Sequence, residues 1–423
     1  LFKKNFVVAL IFLSFVVMAC YRPNGSACAA EKVVDPHLAK IKYYFQDGEM
    51  DYVFGPMFLG AAINGGAEVG EAYITATKIR DGDPASWQEE WIKIAGIVEA
   101  RGERSLALGH KVSARSQFLR ASYYYRESLI SMLPNDPRYM KTALKSRELL
   151  KKAGKFFDPP LEYIEIPFEG TVLHGYFRKA AAGNAPRKTI LMLGGAETFI
   201  EDLYFYNAPQ CFEHGYNFMT VDLPGQGLLP AAGKYFRPAM YHSVRAAVDY
   251  ALSRPDVDPA RLALYGYSTG GFIAPQAAQH DPRIKAVIAC HSVVDGYAEV
   301  CKMPPMTPES VKNWPLFKLG CYKSMAWRFG LGQDDIAGIP AKNKGFVHDP
   351  TKISVPALII VAADEGKNPE IQRQTRISFD NLPNPKKRLV ITPGEEGASA
   401  HCVMDNRSLA NQEIFDWLDE VFE

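Results

Sequence analysis

Residues 263–272 read ALYGYSTGGF and contain Gly266-Tyr267-Ser268-Thr269-Gly270. A five-residue pattern of this kind recurs by chance, so its context has to decide whether Ser268 is a nucleophile. The residues before it, RLALYGY, form an apolar strand candidate. Those after it, GGFIAPQAAQ, form a helix candidate. A strand that turns sharply into a helix at a serine needs small residues two before and two after, because the backbone closes on itself there. Gly266 and Gly270 meet that need, and Gly271 adds room. The helix start also directs positive charge toward a developing oxyanion.

Working outward from this stretch, short apolar runs alternate with helical stretches. They are TILMLGG, YNFMTVDLPG, RLALYGYS, IKAVIAC, PALIIVA and KRLVIT. This alternation predicts an α/β fold with a mostly parallel central sheet covered on both faces. Such sheets bind ligands beyond the carboxyl ends of their strands, and the candidate chemical residues fall at those ends. LEYIEIPFEGTVLHGYF alternates on both sides of Glu169-Gly170 and predicts a hairpin at the start of this region.

A serine needs a base. Among nine histidines, His401 follows the last strand and the loop TPGEEGASA, and it precedes the terminal helix NQEIFDWLDEVF. The order serine, acid, histidine then places the acid after an intervening strand. VPALIIVAADEG puts Asp364 there. Glu365 is adjacent and takes the role if the register shifts by one residue. Asp295, in HSVVDGY, is the other position the fold permits. The oxyanion hole draws one N–H from Thr269 and a second from the loop GGAE, where Ala196 is favoured with Gly195 next. Glu197 follows at once, as a contact for a polar substrate group, an acid, or a salt-bridged scaffold residue. DLPGQG, residues 222–227, reads as a structural turn at the mouth of the site.

Residues 30–157 read as helices. DPASWQEEWIKIAGIVEARG suggests Ser86 as an N-cap with Glu89 completing a capping box. NDPRYMKTALKSRELLKKAGK suggests a helix capped by Asp136 and ending at Gly154. Tyr123, Tyr124 and Tyr125 lie between them, as helix–helix core or as a pocket wall. DPP at 158–160 ends the helical pattern.

The 423-residue chain is 47% apolar and 22% charged, with a formal net charge of +1. The charge balance offers no bulk attraction for nucleic acid. Lys3 and Lys4 precede FVVALIFLSFVVMAC, an apolar run shorter than a spanning helix, which reads as a secretory signal within residues 1–29. VMAC makes Cys20 a lipidated first residue and a membrane tether. ACA, ending at Ala29, fits ordinary cleavage instead. Either way the expected location is the periplasm or its membrane face. The seven cysteines show no CxxC pair or Cys/His spacing, so no metal site is expected. Cys301 and Cys321 are the pair that could bridge, with free buried thiols as the alternative.

The catalytic half resembles the α/β-hydrolase superfamily. Residues 40–423 resemble its FrsA-like esterases and 2,6-dihydroxypseudooxynicotine hydrolases, with fungal polyketide-shortening pigment hydrolases as relatives. The resemblance rests on SWQEEW, GHKVSARSQFLRASYYYR, LPNDPR, PPLEYIEIPFEGTVLHGYF, LMLGGAET, DLPGQG, GYSTGG and AHCVMDNRSLANQEIFDWLDE. It implies a helical N-terminal cap over residues 30–157, a catalytic domain over 158–423, a Ser–Asp–His triad, no cofactor and frequent homodimers. It also implies cleavage of esters or of carbon–carbon bonds next to ketones.

The expected activity is a serine hydrolase that cleaves a small carboxylic ester through an acyl-enzyme, with Ser268, Asp364 and His401 as the triad. A C–C bond hydrolase of a β-diketone or polyketide-like ketone is the second reading. A non-catalytic binding protein of the same fold is the third. Residues 301–350 are long for a connection and rich in Pro, Met and aromatics. They are expected to fold over the serine as a lid.

Overall fold

The structure, a computed structural model, describes residues 41–423. The signal reading, with Cys20 and Ala29, lies outside the described residues.

Eight strands form one sheet in the order β1-β2-β4-β3-β5-β6-β7-β8. β1 (Glu162–Phe168) and β2 (Thr171–Arg178) make the expected antiparallel hairpin, with Phe168 opposite Thr171. The two turn residues, Glu169 and Gly170, have φ of 44° and 76°. That left-handed pair matches the twist of the strands it joins. β2 runs antiparallel to β4 (Asn217–Val221). From β4 onward every neighbour is parallel, through β3 (Arg187–Leu193), β5 (Val257–Tyr267), β6 (Ala286–Cys290), β7 (Ala357–Val361) and β8 (Lys387–Ile391). Each of the six apolar runs became a strand. The fold is that of the α/β hydrolases.

The central strands are buried on both faces, and successive side chains go to different cores. Ile190, Met192, Ala263, Tyr265, Ile288 and Ile360 join one cluster, while Leu191, Leu193, Leu262, Leu264, Val287 and Ile359 join the other. The longer helices are labelled α1 (Pro84–Ala107), α2 (Lys111–Glu127), α3 (Tyr139–Gly154), α4 (Ile200–Glu213), α5 (Tyr241–Ser253), α6 (Gly270–His280), α7 (Leu316–Arg328), α8 (Pro369–Asn381) and α9 (Arg407–Phe422). Trp87 and Trp91 of α1, Tyr123 and Tyr124 of α2 and Leu149 of α3 share the first cluster with α4 and α9. The N-terminal helices thus share a continuous apolar core with one face of the sheet. A buried ion cluster reinforces the join: Arg147 of α3 meets Glu201 of α4 at 2.8 Å and Asp222 after β4 at 3.0 Å.

Two helix starts differ from expectation. Asp83, not Ser86, caps α1, accepting the Ala85 N–H at 2.9 Å with Pro84 in the first turn. Proline has no N–H to lose there, so the helix begins earlier. Ser86 instead bonds back to the Asp83 carbonyl at 3.1 Å. Asp136 accepts the Arg138 N–H at 2.8 Å within a turn, and α3 starts only at Tyr139. Tyr123 and Tyr124 are buried core residues, stacked or tilted against Phe58. The Cys301–Cys321 bridge is absent among the described residues, and Cys321 is a free thiol.

Candidate active site

Ser268 directly follows β5 and precedes α6 with φ of 56°, a left-handed conformation unusual for a residue with a side chain. A Cβ on Gly266 would strike the Gly270 carbonyl, and one on Gly270 would strike the Leu193 carbonyl. The turn therefore closes only with glycine at both positions. Strain of this kind pushes the hydroxyl out of the sheet edge.

His401 stands in a short turn between β8 and α9, where Cys402 and Val403 both have φ of 56°. This tight backbone turns the imidazole inward. Its Nε2 lies 2.8 Å from Ser268 Oγ. A proton can pass from hydroxyl to ring across that distance.

The other ring nitrogen, Nδ1, meets Glu365 Oε1. The expectation of Asp364 is corrected here. Asp364 Oδ1 is held by Lys367 Nζ at 2.7 Å on the outer side of the turn. The short 3-10 turn at Glu365–Lys367 begins one residue after Asp364, and it is Glu365 that is fully buried. Asp295 is elsewhere again: it caps a short helix by accepting the Ala298 N–H at 3.1 Å.

Glu365 is better held than a lone carboxylate. Its Oε2 accepts the N–H groups of Ala362 at 3.2 Å and Cys402 at 3.3 Å. On its other side Oε1 lies 2.9 Å from Nδ1 of His291, a close charge contact without hydrogen-bond alignment. His291 Nε2 meets Glu299. Burial would raise the Glu365 carboxyl, but the His401 and His291 rings hold it well below the usual range. Burial opposes a charge on His291, yet Glu365 and Glu299 hold its imidazole well above the ordinary value. Glu365 is therefore a carboxylate shared by two imidazoles. The ligand atoms of His291, Glu365 and His401 lie within 4.8 Å of one another, a spacing that suits a metal ion. Each ring nitrogen in this trio nonetheless faces a protein partner: Ser268, Glu365 or Glu299.

His291 and Glu299 were not singled out from the sequence. The available signal was position: His291 directly follows β6, at the same sheet edge as Ser268.

The residues expected to supply the oxyanion donors lie beside the serine. Ala196, Thr269 and Gly195 line the same cavity as Ser268. A Cβ on Gly195 would lie 2.9 Å from the Ser268 Cβ. Among the described residues, no backbone hydrogen bond uses the N–H of Ala196 or Thr269. Thr269 precedes the first residue of α6, so its N–H is outside the helical ladder. The DLPGQG turn braces this loop: Gln226 Nε2 donates to the Gly194 and Gly195 carbonyls at 2.7 and 2.9 Å.

The model of the FrsA-like esterases matches residues 68–309. This chain belongs to that family. The hydrolase LUC6 of a Fusarium species is 31% identical over 401 residues, covering 86% of this chain and 94% of the relative. The 20-hydroxy-prefusarin hydrolase FUS2 of Gibberella moniliformis is 30% identical over 404 residues, covering 86% and 94%. A crystal structure of 2,6-dihydroxy-pseudo-oxynicotine hydrolase superposes with a TM-score of 0.70 at 22% identity, over 86% of this chain and 95% of that one. The last likeness establishes the fold. The sequence relatives make this FrsA-like chain a hydrolase.

The cavity of this FrsA-like hydrolase measures about 210 Å³. Beyond the catalytic residues' own turns, three regions supply much of its wall. Tyr52, Met57 and Arg126 belong to the N-terminal helical region, Gly195 to Phe199 follow β3, and Met303, Met306, Tyr322, Met325 and Phe329 belong to residues 301–350. That last segment is anchored on the helical region, because Phe317 packs on Trp87 with ring centroids 5.2 Å apart. Trp314 and Trp327 do not reach the cavity wall; Trp327 packs on Tyr139. Glu197 lines the cavity and is not an ion-paired scaffold residue among the described residues. Among the described residues its hydrogen bond is made by the backbone, the carbonyl accepting from Arg126 Nη2 at 3.0 Å.

Proposed function

We propose that this FrsA-like protein is a serine hydrolase acting on a small carbonyl compound, with a carboxylic ester as the substrate class. The observation that carries the reading is the chain of contacts from Ser268 Oγ to His401 Nε2 at 2.8 Å, and from His401 Nδ1 to Glu365. His401 takes the Ser268 proton as Oγ attacks the carbonyl. Glu365 holds the ring in the tautomer that leaves Nε2 free to accept, and it stabilises the imidazolium that forms. The N–H groups of Thr269 and Ala196 receive the negative oxygen. The imidazolium then protonates the leaving alcohol, and water, deprotonated by the same ring, releases the acid. A non-catalytic binding role has no use for an aligned serine, imidazole and carboxylate.

The second reading is hydrolysis of a C–C bond beside a ketone, and one observation favours it. Glu49, Glu197 and Glu299 line the cavity, whereas the triad acid Glu365 lies behind His401. In that reaction the Ser268 adduct collapses with the electron pair moving onto the α-carbon, which takes a proton as the ketone leaves. An acid near the serine serves that step, whereas an ester's alkoxide is served by His401 alone.

The cavity's size, apolar walls and two-sided roof support short or medium acyl groups over polymers and folded proteins. Activity of purified protein on an acyl-length ester series and on aryl β-diketones, alongside Ser268→Ala, tests both readings. A sharp optimum at short to medium chains, abolished in Ser268→Ala, is expected. Equal turnover of long-chain lipid or polymeric esters removes the enclosed-pocket reading.

Export rests on residues 1–29 alone and is proposed on that basis. Membrane-bound protein released by Cys20→Ala supports a lipid anchor, soluble protein beginning at Ala30 supports ordinary cleavage, and unprocessed cytosolic protein rejects export.

A further inference from the structure

Arg328 closes α7 and is 2% exposed, yet it lines the cavity that holds Ser268. Its guanidinium makes one hydrogen bond among the described residues, from Nη1 to the Gly225 carbonyl at 3.0 Å. Nε is buried with no partner. Two other buried arginines are neutralised, Arg126 by Asp202 at 3.0 Å and Arg147 by Glu201 and Asp222, while Arg407 has its guanidinium spread over the Phe205 and Met57 carbonyls. Among the described residues, Arg328 has no carboxylate at ion-pair distance. The charged and titratable groups that feel it are Tyr139, Arg126, Glu197 and Asp222. Asp222 is already engaged by Arg147. What surrounds Arg328 directly is aromatic, with Phe199 and Trp327 ring centroids 5.3 and 6.0 Å from its central carbon.

An arginine cannot shed its proton to escape burial. A buried cation without a counter-charge is costly, and the cost is recovered when a ligand brings the charge in. The rest of the lid wall is uncharged and mostly apolar, with Met303, Met306, Met325 and Phe329 beside the neutral Tyr322, Ser324 and Asn343. One unpaired cation in such a wall orients a substrate by a single polar end. A planar guanidinium with only Nη1 hydrogen-bonded among the described residues fits an oxygen that carries negative charge.

We propose that Arg328 receives an anionic oxygen of the substrate, a carboxylate or the enolate of a β-dicarbonyl, while the scissile carbonyl lies at Ser268. This rests on the serine-hydrolase reading and adds the charge of the substrate's far end.

The test compares two near-isosteric esters, p-nitrophenyl valerate and mono-p-nitrophenyl glutarate, in wild type, Arg328→Met and Arg328→Lys. Wild type is expected to favour the glutarate. Arg328→Met is expected to lower the glutarate-to-valerate ratio of kcat/KM about ten- to hundredfold, mainly through KM. Arg328→Lys, which keeps the charge, is expected to keep part of the preference. A second arm follows the enolate absorbance of 1-phenyl-1,3-butanedione bound to Ser268→Ala, with and without Arg328→Met. A response in the ester arm assigns a carboxylate, and one in the diketone arm assigns an enolate. An unmoved ester ratio together with an unmoved enolate band overturns the proposal. Fluorophosphonate labelling of wild-type Ser268 is read in parallel. Absence of label removes the serine-hydrolase reading, whereas label with neither arm responding removes the Arg328 proposal alone.

Discussion

His401 Nδ1 meets the carboxylate of Glu365, while Asp364, one residue earlier, turns its carboxylate outward to Lys367. Two adjacent acids at one strand end thus have opposite environments. Glu365 is sealed between two imidazoles and two backbone N–H groups. Asp364 is tied to a lysine that is itself largely exposed.

Glu365→Gln should therefore lower kcat/KM by about three to four orders of magnitude, the scale expected when a histidine loses its orienting carboxylate. Asp364→Asn and Asp295→Asn should each stay within about threefold of wild type. Steady-state kinetics of the three variants decides. A severe loss in Asp364→Asn with a mild one in Glu365→Gln returns the acid to the earlier residue.

Ser268→Ala should abolish turnover and fluorophosphonate labelling with an unchanged circular dichroism spectrum. Gly266→Ala should do more damage to the fold, because the added methyl meets the Gly270 carbonyl across the turn. A loss of at least about 2 kcal/mol is expected by denaturant titration, the range of substitutions that force backbone apart. A Gly266→Ala protein as stable as wild type contradicts the close turn.

Arg147→Met should cost about 3–5 kcal/mol near pH 8, since Glu201 and Asp222 would be left buried without their cation. Burial already pushes the Asp222 carboxyl up to about 7, with Arg147 pulling it down. The loss should shrink toward pH 5, where the abandoned Asp222 carboxyl takes up a proton. Urea midpoints at the two pH values measure it. A pH-independent loss points to packing rather than charge.

His348 should make stability fall on acidification. Burial pulls its imidazole down to about 4 in the fold, against 6.5 for the free side chain, with Asp349 opposing weakly. Both ring nitrogens are buried without a hydrogen bond. Between these values the unfolded chain binds a proton that the folded chain refuses. The contribution is full above pH 6.5 and is lost as pH falls toward 4, about 3 kcal/mol in all. His348→Phe, which can pack on Phe272, should flatten that part of the pH–stability curve. An identical slope in the variant assigns the acid sensitivity to other groups.

The strand ends were legible because period-two burial and apolar runs are local properties. Ser268 was legible because the elbow needs its own neighbours, Gly266 and Gly270, and His401 because it occupies the loop between the last strand and the last helix. The acid was not decided locally. Asp364 and Glu365 are chemically equivalent in the sequence, and the choice depends on where the chain turns after β7. A turn started one residue earlier would have exchanged them. His291, Glu299 and Arg328 lie further still from any local signal. Their roles come from contacts between residues remote in the chain: His291 with Glu365, and Arg328 with the Gly225 carbonyl. Sequence pattern determines which residues reach the carboxyl edge of the sheet, because strand length and turn chemistry are written in neighbouring side chains. Only the tertiary structure decides which of them are buried together, since charge and hydrogen-bond partners are set by distance in space.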